Sequence, residues 1–141
     1  HVEQIAAIQA SYWENYKVST TETKPFEVNA LYVNGAFWNV FSFHFTEGKP
    51  FTQSEVEAKI PTAILSESLA QKLFATTRNV TGRHFLFNGK DYRAGGVVKD
   101  VSNATPDTAA DLWLPLLNAS NVKKELTSNG LLGNIYTYLL V

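Results

Sequence analysis

The sequence predicts an α+β fold, a mostly antiparallel β subdomain with short helices, flanked by α/β elements from the N- and C-terminal ends. Three observations carry this. Short segments rich in aromatic and β-branched residues recur between Phe26 and Val98, bounded by turns that contain Gly, Asn or Pro. Two segments of helical period interrupt them, each opened by a capping residue, Thr52 or Ser66. Asn88-Gly89 sits between two strand-like runs, and that dipeptide supplies the positive φ angles a type I′ hairpin turn needs.

Taken in order, Ile5, Ile8, Tyr12 and Tyr16 recur at helical spacing, so residues 1–16 read as an amphipathic helix. The polar run 19–24, closed by Pro25, reads as a linker and gives the best boundary in the chain. Residues 27–33 and 38–45 read as strands. In the second, Phe41, Phe43 and Phe45 share one face, and Val40, Ser42 and His44 the other. Asn34-Gly35 between them fits a tight hairpin and equally a looser loop.

After the turn 47–50, Thr52 with Glu55 three residues on has the capping-box form for a short helix to about Ala58. Residues 62–65 read as a buried strand. Ser66 then caps a helix to Phe74 whose apolar face is Leu69, Ala70, Leu73 and Phe74. A two-residue loop at Asn88-Gly89 places Phe85 opposite Tyr92. Gly95-Gly96 inside the return strand predicts a bulge or a close backbone approach, and lacks the spacing of a nucleotide loop. Residues 102–107 have turn composition, and Leu112 to Leu114 form a strand that Pro115 confines to an edge or a strand end. Residues 118–128 read as a helix and 135–141 as a last strand.

At 141 residues the chain fits one domain, or one with part of another. Hydrophobic residues make up 45% of it, enough for a core without covalent staples. A net charge of 12 − 13 = −1 lacks the basic footprint of a nucleic-acid binder. The absence of Cys excludes thiolate chemistry and disulfides. No apolar stretch approaches the ~18–20 residues of a membrane helix. A start without Met, inside a helix-like run, is expected of a piece cut from a longer protein.

Candidate chemistry is thin. His44 and His84 are isolated and read as exposed or edge-strand residues, so no metal site is expected. Ser66 and Ser68 lie in no nucleophile elbow, and a helix cap accounts for Ser66. Carboxylate pairs for hydrolysis can be drawn from Glu27, Glu47, Asp91, Asp100 and Asp111, but any domain carries that many acids. Asn79, Asn103 and Asn118 begin Asn-x-Ser/Thr triplets, which a eukaryotic secreted protein would present on loops. Tyr12, Trp13, Tyr32, Trp38 and Trp113 either form a sugar-stacking platform or belong to the core, and spacing favours the core.

Motifs from Val33 to Pro115 resemble the periplasmic core domain of the macrolide-exporter and lipoprotein-release type (MacB/FtsX-like) ABC transporter permeases. They are Gly35 to Phe41, Phe45 to Phe51, and the run Thr62 to Phe74 with its Ser-Glu-x-Leu-Ala cap and Leu-Phe end. Val80-Thr81-Gly82, the hairpin at Gly89, Tyr92 to Asp100 and Leu114-Pro115 follow in the family's order. The resemblance implies an extracytoplasmic, non-catalytic domain set between the first and second membrane spans, on the periplasmic side of the bacterial inner membrane.

The implied partners are the permease's transmembrane helices, a cytoplasmic ATPase subunit or domain, a second permease copy and a periplasmic adaptor or carrier protein. Residues 1–24 and 118–141 would belong to a membrane-proximal part, and residues 25–117 to the β-rich core subdomain. No catalytic, cofactor-binding or metal residues are expected, and no cofactor. Binding, where it occurs, is expected on the Trp/Tyr-bearing surface and on loops such as 102–110. The rival functions are a secreted carbohydrate- or protein-binding module with an exposed aromatic face, and a hydrolase built on a carboxylate pair.

Overall fold

A computed structural model describes residues 4–9, 16–100, 110–116 and 135–140, with side chains for 16–100 and 110–116. Ten strands form one mixed sheet in the order β10-β1-β4-β9-β6-β8-β7-β2-β3, with β5 also paired to β8. They are β1 (Gln4–Gln9), β2 (Lys17–Ser19), β3 (Phe26–Glu27), β4 (Ala30–Val33), β5 (Phe45–Gly48), β6 (Thr62–Ser66), β7 (His84–Phe87), β8 (Lys90–Val98), β9 (Leu112–Pro115) and β10 (Ile135–Leu140). Among the described residues three short helices, α1 (Phe37–Val40), α2 (Gln53–Glu57) and α3 (Glu67–Phe74), join them. Only β4–β9 and β6–β8 run parallel, so the mostly antiparallel α+β class holds.

Alternation along the central strands divides the interior into two cores, one on each face of the sheet. Ala30, Ala63, Leu65, Leu112 and Leu114 point to the first, with Leu69, Ala70 and Leu73 of α3. Leu31, Val33, Ile64 and Trp113 point to the second, with Phe37 of α1, Phe51, and Val56 of α2. Strands β6 and β9 are buried throughout, which explains why they read as continuous apolar runs. Pro115 ends β9, as its missing N–H requires.

Gly95 is the extra residue of a bulge. Ala63 pairs with Ala94 but Ile64 pairs with Gly96, so the alternation of β8 slips by one residue. The slip keeps Tyr92, Ala94 and Val97 in one core although 94 and 97 are an odd number apart. It also lets β5 close in: a Cβ on Gly96 would sit 3.0 Å from the Glu47 carbonyl oxygen, and one on Gly48 (φ +67) would fall on the Gly95 carbonyl.

The local signals at caps and turns are realised. The Thr52 hydroxyl accepts the Glu55 N–H at 3.2 Å while the Glu55 carboxylate accepts the Thr52 N–H at 3.1 Å. The Ser66 hydroxyl accepts the Leu69 N–H at 3.1 Å to open α3. Asn88 (φ 49) and Gly89 (φ 82) close the β7–β8 hairpin, and Phe85 stacks on Tyr92 with ring centroids 6.2 Å apart.

Three expectations are corrected. The helix expected over residues 1–16 is instead strand β1 at Gln4–Gln9, because β10 offers a six-residue ladder that outweighs the helical spacing of Ile5 and Ile8. The strand expected over residues 38–45 begins as helix α1 and becomes a ladder only at Phe45. Here Asn34 starts a turn by accepting the Phe37 N–H on its Oδ1 at 3.1 Å. Gly35 is packed against the Gln53 backbone so closely that a Cβ would collide with it, which rules out a free hairpin at Asn34-Gly35. The face assignment survives for Phe41, Phe43 and Phe45, which pack on the second core, and for Ser42 and His44, which are exposed. Val40, expected on the opposite face, packs on the second core as well because it lies in α1. Finally, the strand expected over residues 27–33 is two strands, β3 and β4. The expected turn at 102–107 and helix at 118–128 lie outside the described residues.

Candidate functional site

The polar residues singled out in the sequence are spread over separate elements. His44 is exposed beside the start of β5. His84 Nδ1 meets Asp91 Oδ2 at 2.9 Å across the β7–β8 hairpin, with both side chains about 60% exposed. Among the described residues no group of three His, Asp or Glu side chains is placed to hold a metal ion. Ser66 is spent as the α3 cap. The Ser68 hydroxyl donates to Asp100 Oδ2, and Asp100 Oδ1 accepts the Ser68 N–H at 3.0 Å, so Asp100 caps the first turn of α3 from outside. Glu27 lies on β3 and Asp111 just before β9, and no two of the five candidate acids share a hydrogen bond among the described residues.

The most organised polar group is Glu47. Its Oε2 accepts the Asn79 N–H at 2.8 Å, and its Oε1 accepts the Val80 N–H at 2.7 Å, the Thr81 hydroxyl at 2.7 Å and the Thr81 N–H. Three successive backbone N–H groups converge because Asn79 takes a left-handed conformation (φ 55), which turns the segment into an anion-binding nest. Partial burial pushes the Glu47 pKa up, but the hydrogen bonds from Thr81, Asn79 and Val80 together outweigh it and hold the carboxyl below its ordinary range. The nest is thus filled by the protein's own carboxylate, which ties β5 to the segment leading into β7. Sequence reasoning named Glu47 as a loose acid and 79–81 as a sequon. Only the register that sets β5 against β8 shows that they meet.

The aromatic residues build a wall rather than a platform. Trp113 is fully buried, and its ring lies 6.0 Å from that of Trp38 and 5.3 Å from that of Phe43. Trp38 also packs edge-on against Phe51 at 5.5 Å, with its indole N–H buried and unpartnered among the described residues. Tyr32 is half-buried against Tyr16 and Phe87. Trp113 therefore cannot stack a sugar, while Tyr12 and Trp13 lie outside the described residues.

Glu47, Ser66, Ser68 and Asp100 are thus engaged in clamping or capping backbone on a mixed sheet. The model of the MacB-like periplasmic core domain matches residues 1–139. The chain belongs to this family. The macrolide export ATP-binding/permease protein MacB of Shigella dysenteriae serotype 1 (strain Sd197) is 25% identical over 84 residues, which is 59% of this chain and 13% of that protein.

Among solved structures, a permease domain from Porphyromonas gingivalis superposes with a TM-score of 0.73 at 20% identity, covering 99% of this chain and 61% of that one. The periplasmic region of MacB from Actinobacillus actinomycetemcomitans gives 0.71 at 20% identity, with 99% and 58% covered. The extracellular domain of the transporter YknZ, from Gram-positive bacteria, gives 0.68 at 18%, with 99% and 65% covered. The chain thus has the MacB-like periplasmic core fold and spans about three fifths of the length of these neighbours.

Proposed function

We propose that this chain is the extracytoplasmic, non-catalytic domain of an ABC transporter permease and that it transmits ATP-driven motion to the export or release of a substrate. The family match over residues 1–139 carries this reading. It is supported by the fate of the polar side chains, since Glu47, Ser66 and Asp100 are all engaged in holding backbone. Hydrolysis of ATP belongs to another domain or subunit. The domain stands on the outer face of the cytoplasmic membrane, joined to transmembrane helices, and works beside a second permease copy with a periplasmic adaptor or carrier protein. Residues 25–117 form its core subdomain. Residues 1–24 and 118–141 form the membrane-proximal part, a division that the pairing of β1 with β10 favours because it sets the two flanks side by side. No helix among the described residues is long and apolar enough to cross a membrane.

The test is the parent reading frame and its reconstitution. An apolar stretch of ~20 residues before His1 and further spans after Val141 are expected. With the parent and its ATPase in vesicles, deleting the domain should leave ATP hydrolysis in place and abolish substrate movement. A cleavable signal peptide followed by a stop codon would replace this reading with a secreted binding module.

A further inference from the structure

Strand β1 is held unequally on its two sides. Among the described residues six pair with β10, from Gln4 with Leu140 to Gln9 with Ile135, whereas the pairs with β4 stand toward the Gln9 end, Ile8 with Val33 and Gln9 with Tyr32. The β1–β10 ribbon therefore meets β4 toward its Gln9 end. Beyond Val33 the chain leaves the ladder through the Asn34-Gly35 turn and winds α1, which lies against both β1 and β10. Residues 4–7 thus have no β4 residue paired beside them, and the chain that follows β4 forms α1 instead of continuing the ladder.

Helix α1 is too short to stand alone, because a single turn does not recover its nucleation cost. Its order comes from outside. Asn34 Oδ1 accepts the Phe37 N–H at 3.1 Å, and Gln53 Oε1 of α2 accepts the Gly35 N–H at 2.8 Å. Phe37 is fully buried, and the Trp38 ring lies 5.5 Å from Phe51 and 6.0 Å from Trp113. One side of α1 therefore faces the ribbon, and its aromatic residues are fixed in the core behind β9.

We infer that α1 is a transmission element: movement of the β1–β10 ribbon about its junction with β4 reaches the aromatic core through α1, and not through the ladder. A ladder with β4 that stands at one end of the ribbon makes a pivot, whereas a packed helix that two strands lean on makes a stop. The source of the movement rests on the transporter reading above, since a load on both flanks of the domain would enter at the Gln4–Leu140 end. The coupling itself is a property of this chain and is testable without transport.

The test is residue-resolved amide hydrogen exchange on the chain with Asn34→Ala and, separately, Gln53→Ala. Asn34→Ala removes the acceptor of the Phe37 N–H and Gln53→Ala that of the Gly35 N–H, both of which order the entry to α1, and neither residue belongs to β1 or β10. Loss of one capping bond costs about fivefold in local opening, so amides of β1 and β10 should exchange about fivefold faster in Asn34→Ala. A smaller change of the same pattern is expected in Gln53→Ala, with the β6–β8 ladder unchanged in both. Faster exchange in α1 with an unaltered ribbon, or a uniform change across all strands, overturns the inference. In the reconstituted parent, Asn34→Ala should lower substrate moved per ATP hydrolysed. If the ribbon loosens and transport is unaltered, the coupling stands and the reading that this domain transmits ATP-driven motion fails.

Discussion

Replacing Glu47 with Ala removes four hydrogen-bond acceptances at once, and the expected loss follows from where the donors lie. The Val80 N–H is part-buried and has little water to replace the carboxylate, so its bond carries most of the effect, about 1.5–3 kcal/mol for a bond to a charged acceptor. The Asn79 and Thr81 donors are exposed and recover most of what they lose by solvation, adding about 0.5–1 kcal/mol together. A total of about 2–4 kcal/mol lowers the melting temperature by roughly 6–12 °C for a domain of this size. Glu47→Gln keeps an oxygen acceptor but turns an amide toward one set of donors, and about half the loss is expected.

The pH dependence fixes the cause. The Glu47 pKa is lower in the folded chain than in the unfolded one, so the carboxylate's contribution is fully present above the unfolded value. It is lost as the pH falls through the folded value. The gap between wild type and Glu47→Gln should therefore be widest near neutrality and narrow as the pH falls below the ordinary Glu range. Urea titrations at pH 7, 5 and 3 read both quantities. A gap that stays constant over this range, or a Glu47→Ala chain within about 0.5 kcal/mol of wild type, refutes the clamp.

Four further outcomes are expected. Trp113→Ala should cost about 3–5 kcal/mol by leaving a cavity behind β9, read as loss of the cooperative thermal transition; a fully folded variant that has lost ligand binding would restore the aromatic-platform reading. Gly48→Ala should destabilise by about 2 kcal/mol or more, since it forces both a left-handed side chain and a collision with the Gly95 carbonyl, whereas Gly89→Ala meets only the φ penalty. Thr52→Ala should remove the capping box and cost about 1 kcal/mol, measured by chemical denaturation. In Glu47→Gly the emptied nest should accept a carboxylate from solution, so acetate should raise its melting temperature and leave wild type unchanged.

What was legible in the sequence was short-range. The capping box at Thr52, the cap at Ser66 and the Asn88-Gly89 hairpin each depend on residues within a few positions, and local chemistry decides them. The bulge at Gly95 was legible for the same reason, because a glycine pair in a strand has few other uses. What was not legible depends on remote partners. Ile5 and Ile8 fit a helix until β10, some 130 residues away, supplies a ladder. Trp38 to Val40 fit a strand until α2 packs on Gly35. Glu47 was one acid among several, since nothing near it in the chain names residues 79–81 as its donors. In each failure a tertiary contact overrode a local preference.

The pairing of Gln4 with Leu140 also sets an order of events in folding. A ribosome releases β1 first and β10 last, so β1 waits with one edge unpaired while β4, β6, β8 and β9 assemble around the two cores. Closing so long a loop is slow relative to the β7–β8 hairpin, whose strands are joined by two residues. The ribbon therefore completes the sheet after the rest of it has formed. A chain cut short before Ile135 would retain both cores and expose β1 as an edge open to strands of other molecules.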